Sequence, residues 1–285
     1  MNTPRNTPPE PDGRAEFLAT VASRSQHGLR GDYSKMRDDY TVEQDYALYT
    51  PQQQDIWRRL YRRQHELLPG RACAAFSSAL DRLDFADAIP RFELVNEQLD
   101  AATNWQLVPV PGLLPDDVFF GHLAARRFPV TVWIRDPDEF DYIVEPDIFH
   151  DFFGHVPMLF DARIADYLQA YGLGGLKAKR LDALKYLARL YWYTIEFGLV
   201  ADPDGVRAYG AGILSSPGEL RHAIEANEAQ RERFDLIRVM QTRYLIDDFQ
   251  RVYFVVDSFD QLFAETAPDF SLLYRALERL PELDP

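Results

Sequence analysis

The spacing of apolar and polar positions changes character near residue 50. Residues 1–14 contain Pro4, Pro8, Pro9 and Pro11 and almost no apolar side chains, so nothing there offsets the entropy of ordering, and a disordered tail is expected. Residues 15–49 are polar with scattered aromatics (Tyr33, Tyr40, Tyr46), a pattern suited to an extended arm laid over a core. From Thr50 the apolar positions recur at helical spacing, and a single domain is expected over 50–285. Its first helix is the clearest: Thr50 as cap, Pro51 at the first helical position, Ile56, Leu60, Tyr61 and Leu67 on one face, and Gly70 beyond the end. Similar faces predict helices over 71–83, 90–103, 115–127, 161–171, 178–200, 218–229, 231–247 and 258–279. Three β-branched or aromatic runs predict strands: PVTVWIR (129–135), GVRAYG (205–210) and RVYFVV (251–256). No internal repeat is present, and the expected class is mostly α with a few short β-strands.

Composition narrows the function. The 285 residues are 46% hydrophobic and 27% charged, a globular balance. A net charge of −14 repels phosphate backbones and anionic headgroups, so nucleic acid and membrane are not expected partners. A single cysteine, Cys73, closes no intrachain disulfide and builds no thiolate cage, which excludes a disulfide scaffold, a zinc ribbon and an iron–sulfur protein. No apolar run reaches the length of a membrane span, and the opening MNTPRNTPPEPDG has no apolar stretch for a signal peptide. A cytoplasmic location is expected.

Chemistry concentrates in EPDIFHDFFGHVPML, residues 145–159. Asp147 can cap a short helix that carries His150 and His155, five residues apart. On an α-helix such a spacing subtends about 140°, against about 40° for four residues, so the pair needs a local bend at Gly154 to converge. Two satisfied histidines at a buried helix end are the ordinary alternative. Glu196 changes that balance: it sits inside YLARLYWYTIEFGLV (186–200), apolar nearly all round, where a carboxylate needs a cation. Arg189, seven residues back, is too far for a direct pair. Two imidazoles and one carboxylate compose the facial triad that holds Fe(II) with open positions. Zinc hydrolysis also uses three protein ligands, but no HExxH stands on the ligand helix to supply a base.

The blocks GLLPDDVFFGHLAARRFPVTVWIR (112–135), PDIFHDFFGHVPML, YWYTIEFGL (191–199), YGAGILSS (209–216) and VYFVVDSF (252–259) resemble the aromatic amino acid hydroxylases, most closely the short bacterial phenylalanine 4-hydroxylases. They fall in the family's order and cover most of residues 105–260. The resemblance implies that His150, His155 and Glu196 are the ligands of Fe(2+) and carry the catalysis. It implies a tetrahydropterin cosubstrate stacked on Phe119, with Gly112, Leu114, Glu145, Asp151 and Tyr191 around it. It implies that Arg135 holds the carboxylate of L-phenylalanine, with Val144, Trp192, Phe197, Gly212 and Ser215 framing the substrate, and that dioxygen is the oxidant. Two positions depart from the animal members: Ile143-Val144 stand where those carry Thr-Pro, and Asp116 where they carry serine.

The expected activity is hydroxylation of L-phenylalanine to L-tyrosine. Tryptophan or tyrosine hydroxylation is the near alternative; Val255 matches a position that is acidic in tyrosine hydroxylases, which favours phenylalanine. A non-catalytic helical module with a structural metal is the remote alternative. Animal members also carry a regulatory domain and a C-terminal coiled-coil helix. With about 50 residues before the body and the short end RALERLPELDP, a monomer without allosteric phenylalanine binding is expected.

Overall fold

The first helix forms as its sequence dictates. In α1 (Pro51–Leu67) the Gln53 amide donates to the Thr50 hydroxyl, and the Thr50 amide donates to the Gln53 side chain, a reciprocal capping box. Its buried face, Ile56, Trp57, Leu60 and Tyr61, meets an aromatic cluster that includes Phe85, Phe149, Phe152 and Phe153. The structure, a computed structural model, describes residues 17–19, 30–143, 145–246 and 248–285; the tail expected over 1–14 lies outside them.

Next come α2 (Ala74–Leu83), α3 (Phe92–Thr103), strand β1 (Gln106–Val110), α4 (Asp116–Ala124) and β2 (Arg127–Thr131). β1 and β2 pair in parallel as a two-stranded sheet, Gln106 opposite Arg127 and Val110 opposite Thr131. The arm runs across this unit: the Val42 amide donates to the Pro109 carbonyl, and the Tyr49 hydroxyl donates to the Val132 carbonyl. Tyr33, Met36, Tyr40 and Val42 form a small buried cluster of their own against Leu114, Val118 and Val132.

Helix α5 (Ala162–Arg180) runs unbroken through Gly172, Gly174 and Gly175, where the sequence suggests a stop after residue 171. The reason is a close helix crossing. An added Cβ at Gly175 would land on the Phe120 ring of α4, and one at Gly172 would meet the Ala124 backbone. The glycines cost helical propensity, about 1 kcal/mol each, and the tight packing offsets it. Gly175→Ala is therefore expected to destabilise by about 1–3 kcal/mol through overpacking despite alanine's better propensity; chemical denaturation checks it.

α6 (Leu184–Tyr191) begins later than expected and hands over to a π-helical turn, Trp192–Glu196. Beyond it, β3 (Leu199–Asp202), β4 (Gly205–Ala208), α7 (Ala211–Ser215), α8 (Pro217–Glu225), β5 (Gln230–Arg233), α9 (Leu236–Gln241), β6 (Val252–Val256), α10 (Phe259–Thr266) and α11 (Ser271–Leu277) complete the chain. The second sheet has the order β4-β3-β6-β5, antiparallel between β3 and β4 and parallel elsewhere.

Several elements differ from their sequence patterns. The helix expected over 231–247 is strand β5 followed by the short α9, whose cap is Asp235 accepting from the Arg238 amide. QRER is polar throughout, and pairing with β6 rather than propensity makes it a strand. β1 escapes notice because Pro109 interrupts it, a residue tolerated where the strand has a partner on one side only. The run 129–135 stays a strand only to Thr131, and 258–279 splits into α10 and α11. The class is mostly α with short strands. Among the described residues no helix is long and apolar enough to cross a membrane.

Candidate active site and metal centre

His150 and His155 lie on a π-helical segment, Phe149–His155. A bend at Gly154 is not what unites them. A π turn bonds each amide to the carbonyl five residues back, which widens the turn and brings residues five apart toward one face. Gly154 matters for packing instead. An added Cβ there would sit 2.9 Å from the Ala211 carbonyl oxygen, so the glycine lets α7 approach the ligand segment. Asp147 fixes the start of the turn by accepting from the His150 amide at 3.0 Å. The same device recurs on the opposite wall, where the Phe197 amide donates to the Trp192 carbonyl five residues earlier, at 2.8 Å, and aims Glu196 inward.

The three side chains converge. His155 Nε2 is 3.2 Å from Glu196 Oε1, and His150 Nε2 is 3.5 Å from Glu196 Oε2. One nitrogen from each imidazole and one carboxylate oxygen all lie within 4.8 Å of one another. Arg189 takes no part: it pairs with Glu282 at 2.9 Å and donates to the Met240 and Gln241 carbonyls. Burial pushes the His150 imidazole down to about 4, against the pull of Glu196, so it is neutral with a free lone pair near neutral pH. Burial opposes charge on Glu196 as well, but the His155 and His150 imidazoles outweigh it and hold the carboxyl below its ordinary range. Two imidazoles, one carboxylate and an adjoining cavity of about 270 Å³ fit a divalent ion with vacant positions.

Around this centre stand partners that orient it. The Ser215 hydroxyl is 2.9 Å from His150 Nδ1 and fixes that ring from behind. Asp147, fully buried, receives the Arg135 guanidinium side-on, Nε to Oδ2 and Nη2 to Oδ1, each at 2.9 Å. Burial alone would raise the Asp147 carboxyl; Arg135 outweighs that and holds it below the usual range. Asp151 accepts from the Thr131 amide at 2.9 Å, and burial pushes its carboxyl up to about 7.

Residues 30–273 match the family model described as biopterin-dependent aromatic amino acid hydroxylase.

The chain belongs to that family.

Among relatives of this hydroxylase family, the chain is 54% identical to phenylalanine-4-hydroxylase of Chromobacterium violaceum over 266 residues, covering 93% of this chain and 88% of that one. It is 52% identical to the phenylalanine-4-hydroxylase of Ralstonia nicotianae over 282 residues, covering 98% and 90%. The iron- and phenylalanine-bound crystal structure of phenylalanine hydroxylase from Chromobacterium violaceum superposes with a TM-score of 0.84 at 52% identity, covering 93% of this chain and 94% of that one.

The residues that match the family's site fall in several places. Gly112, Leu114, Phe119, Asp151 and Tyr191 line the cavity beside His150, His155 and Glu196. Glu145 stands at the Gly112 end of this wall: its Oε1 would be 3.1 Å from a Cβ added to Gly112. Trp192 and Phe197 stack with ring centroids 4.7 Å apart, and a Cβ added to Gly212 would lie 2.8 Å from Phe197 Cζ. Ser215 lies against the far nitrogen of His150. Val144 lies outside the described residues. Arg135 commits Nε and Nη2 to Asp147 and keeps Nη1 without a partner among the described residues, leaving an end-on face.

Sequence reading misses Asp147 as more than a cap, and it misses the Ser215 hydroxyl as a support for His150. A buried Asp in the apolar run PDIF is the one signal that could have pointed to the first. Ser215→Ala is expected to weaken metal affinity or activity about 10–100-fold, as loss of an outer partner of a histidine ligand does; metal titration of the variant measures it.

Proposed function

We infer that this protein hydroxylates L-phenylalanine to L-tyrosine as a tetrahydropterin-dependent, non-haem iron monooxygenase. The observation that carries the reading is the meeting of His150, His155 and Glu196 on one wall of a cavity, in a chain of the biopterin-dependent aromatic amino acid hydroxylase family whose near relatives are phenylalanine-4-hydroxylases.

Iron(II) and the reduced pterin, when bound, would activate dioxygen, one atom of which enters the ring while the pterin's two electrons reduce the other. The chain's own residues do the rest. His150, His155 and Glu196 would hold the ion and contribute one negative charge, so a divalent ion there would keep positive charge for anionic partners. Phe119 and Tyr191, whose ring centroids lie 6.1 Å apart, offer flat apolar faces in the cavity for a heterocycle. Arg135 is pinned by Asp147 and presents its end-on face to the amino acid carboxylate, a rigid fork with no motion to lose on binding. The stacked Trp192 and Phe197 wall the aromatic ring in and exclude water. Arg135, Trp192 and Phe197 would thereby orient the ring with its para carbon toward His150, His155 and Glu196.

The reading also places the protein in the cytoplasm as a monomer. Its one cysteine is buried, with burial pushing the thiol up to about 11, so it asks for no oxidising compartment. Light scattering tests the monomer.

The experiment is a comparison of purified, Fe(II)-loaded protein with tetrahydropterin and each of phenylalanine, tyrosine and tryptophan. Tyrosine formed from phenylalanine, with the highest kcat/KM of the three, is expected. Preference for either other amino acid, or no pterin-dependent product, would overturn the reading.

A further inference from the structure

The stretch Pro111–Leu114 joins β1 to α4 and carries Gly112 and Leu114 into the cavity wall. It belongs to no helix or strand. Among the described residues, the amides of Gly112, Leu113 and Leu114 donate to no backbone or side-chain acceptor. A short irregular stretch with free donors cannot hold its own direction; something behind it has to.

What lies behind it is the arm. The Tyr33 hydroxyl donates to the Leu113 carbonyl at 3.2 Å, and the Tyr33 ring is buried. Gly31 presses its backbone against the wall so closely that an added Cβ would land inside the Pro111 carbonyl. Gly112 has φ +156°, and a Cβ there would lie 2.7 Å from the Tyr33 hydroxyl, so a bare backbone is needed on both sides of the contact. Arg30 ties the arm down: its guanidinium lies 4.7 Å over the Trp133 ring and pairs with Asp136 at 3.1 Å and with Glu139. Trp133 in turn donates to the Pro111 carbonyl at 3.1 Å.

We propose that Arg30–Tyr33 is a strap that sets the pterin-side wall, with Tyr33 as the positioning residue that fixes the Leu113 carbonyl and, through it, the direction of the free amides on either side. Tyr33 touches neither metal nor substrate and acts through the wall. The proposal rests on the pterin reading of this cavity, but its structural half does not. Loss of the hydroxyl loosens the stretch whether or not a pterin binds, and weakens pterin binding without disturbing the amino acid side, where Arg135 and Trp192 stand.

The test uses the full-length, metal-loaded chain and Tyr33→Phe, which keeps the buried ring and removes only the donor. Hydrogen exchange without pterin, followed by NMR on the Val132 amide and the Trp133 indole N–H, which donate to the Val110 and Pro111 carbonyls, is expected to quicken on the order of fivefold, the factor one neutral hydrogen bond is worth. The KM for tetrahydropterin is expected to rise by about the same factor, with kcat and the phenylalanine KM within about twofold of the parent. Gly31→Ala, which displaces the strap, is expected to show the same signature more strongly. Unchanged exchange at the Val132 amide and the Trp133 indole overturns the strap, and so does a phenylalanine KM that rises as much as the pterin KM. Absence of tyrosine formation by the parent protein overturns the hydroxylase reading instead, and the exchange comparison then decides the strap alone.

Discussion

Replacing Glu196 with alanine is expected to abolish tyrosine formation, by about 10³-fold or more, while the protein stays folded. The size follows from the role: the ion loses its one anionic ligand and several kcal/mol of transition-state stabilisation with it. The folded state is expected to survive because Glu196 is a buried carboxylate whose neighbours are two histidines rather than a fixed cation. Removing it from the metal-free protein loses the imidazole contacts that hold the carboxyl below its ordinary range but also relieves its desolvation, and the two effects oppose each other. The thermal midpoint of the metal-free variant should therefore fall only slightly below that of the metal-free parent. Glu196→Gln keeps the shape and loses the charge, and should fall nearly as far in activity. Activity within tenfold of the parent in either variant would remove Glu196 from the ligand set.

Asp147→Ala is expected to behave in the opposite way, failing first in stability. Asp147 has no exposed surface and accepts from the Arg135 amide, the Arg135 guanidinium and the His150 amide. Truncation leaves the Arg135 guanidinium buried without its counter-charge, which costs about 3–5 kcal/mol. In a chain of this size that lowers the thermal midpoint by about 10 °C. Activity is lost too, since Arg135 loses its orientation and the π turn loses its pin. The paired variant Arg135→Leu with Asp147→Leu separates the two effects: an apolar pair recovers most of the stability and none of the phenylalanine binding. A single Asp147→Ala variant as stable as the parent would contradict the account of this pair.

Much of the site is legible in the sequence, because its chemistry is written in residue types that an apolar setting makes conspicuous. Glu196 stands out because its helix is otherwise apolar, and His150 and His155 because two imidazoles share one short segment. What the sequence hides is how they meet. Five residues is a poor spacing for an α-helix and a good one for a π turn, and the π turn depends on Asp147 below it and on Ala211 packed against Gly154, contacts that spacing does not encode. The same limit applies to the fold. α1 announces itself through its capping box, whereas β5 is four polar residues whose conformation comes from β6. Helix α5 reads as broken at its glycines because its partner, Phe120, lies on another helix. Contacts between distant parts of the chain also decide the arm, whose Tyr33 looks like any scattered aromatic until Leu113 is seen beside it.

The most direct measurement is an anaerobic titration of the metal-free protein with Fe(II), counting ions bound per chain in the parent and in His150→Ala, His155→Ala and Glu196→Ala. One tight site in the parent, lost or greatly weakened in each variant, is the predicted result. An unchanged count in the variants, or no tight site in the parent, would contradict the three-ligand centre on which the account stands.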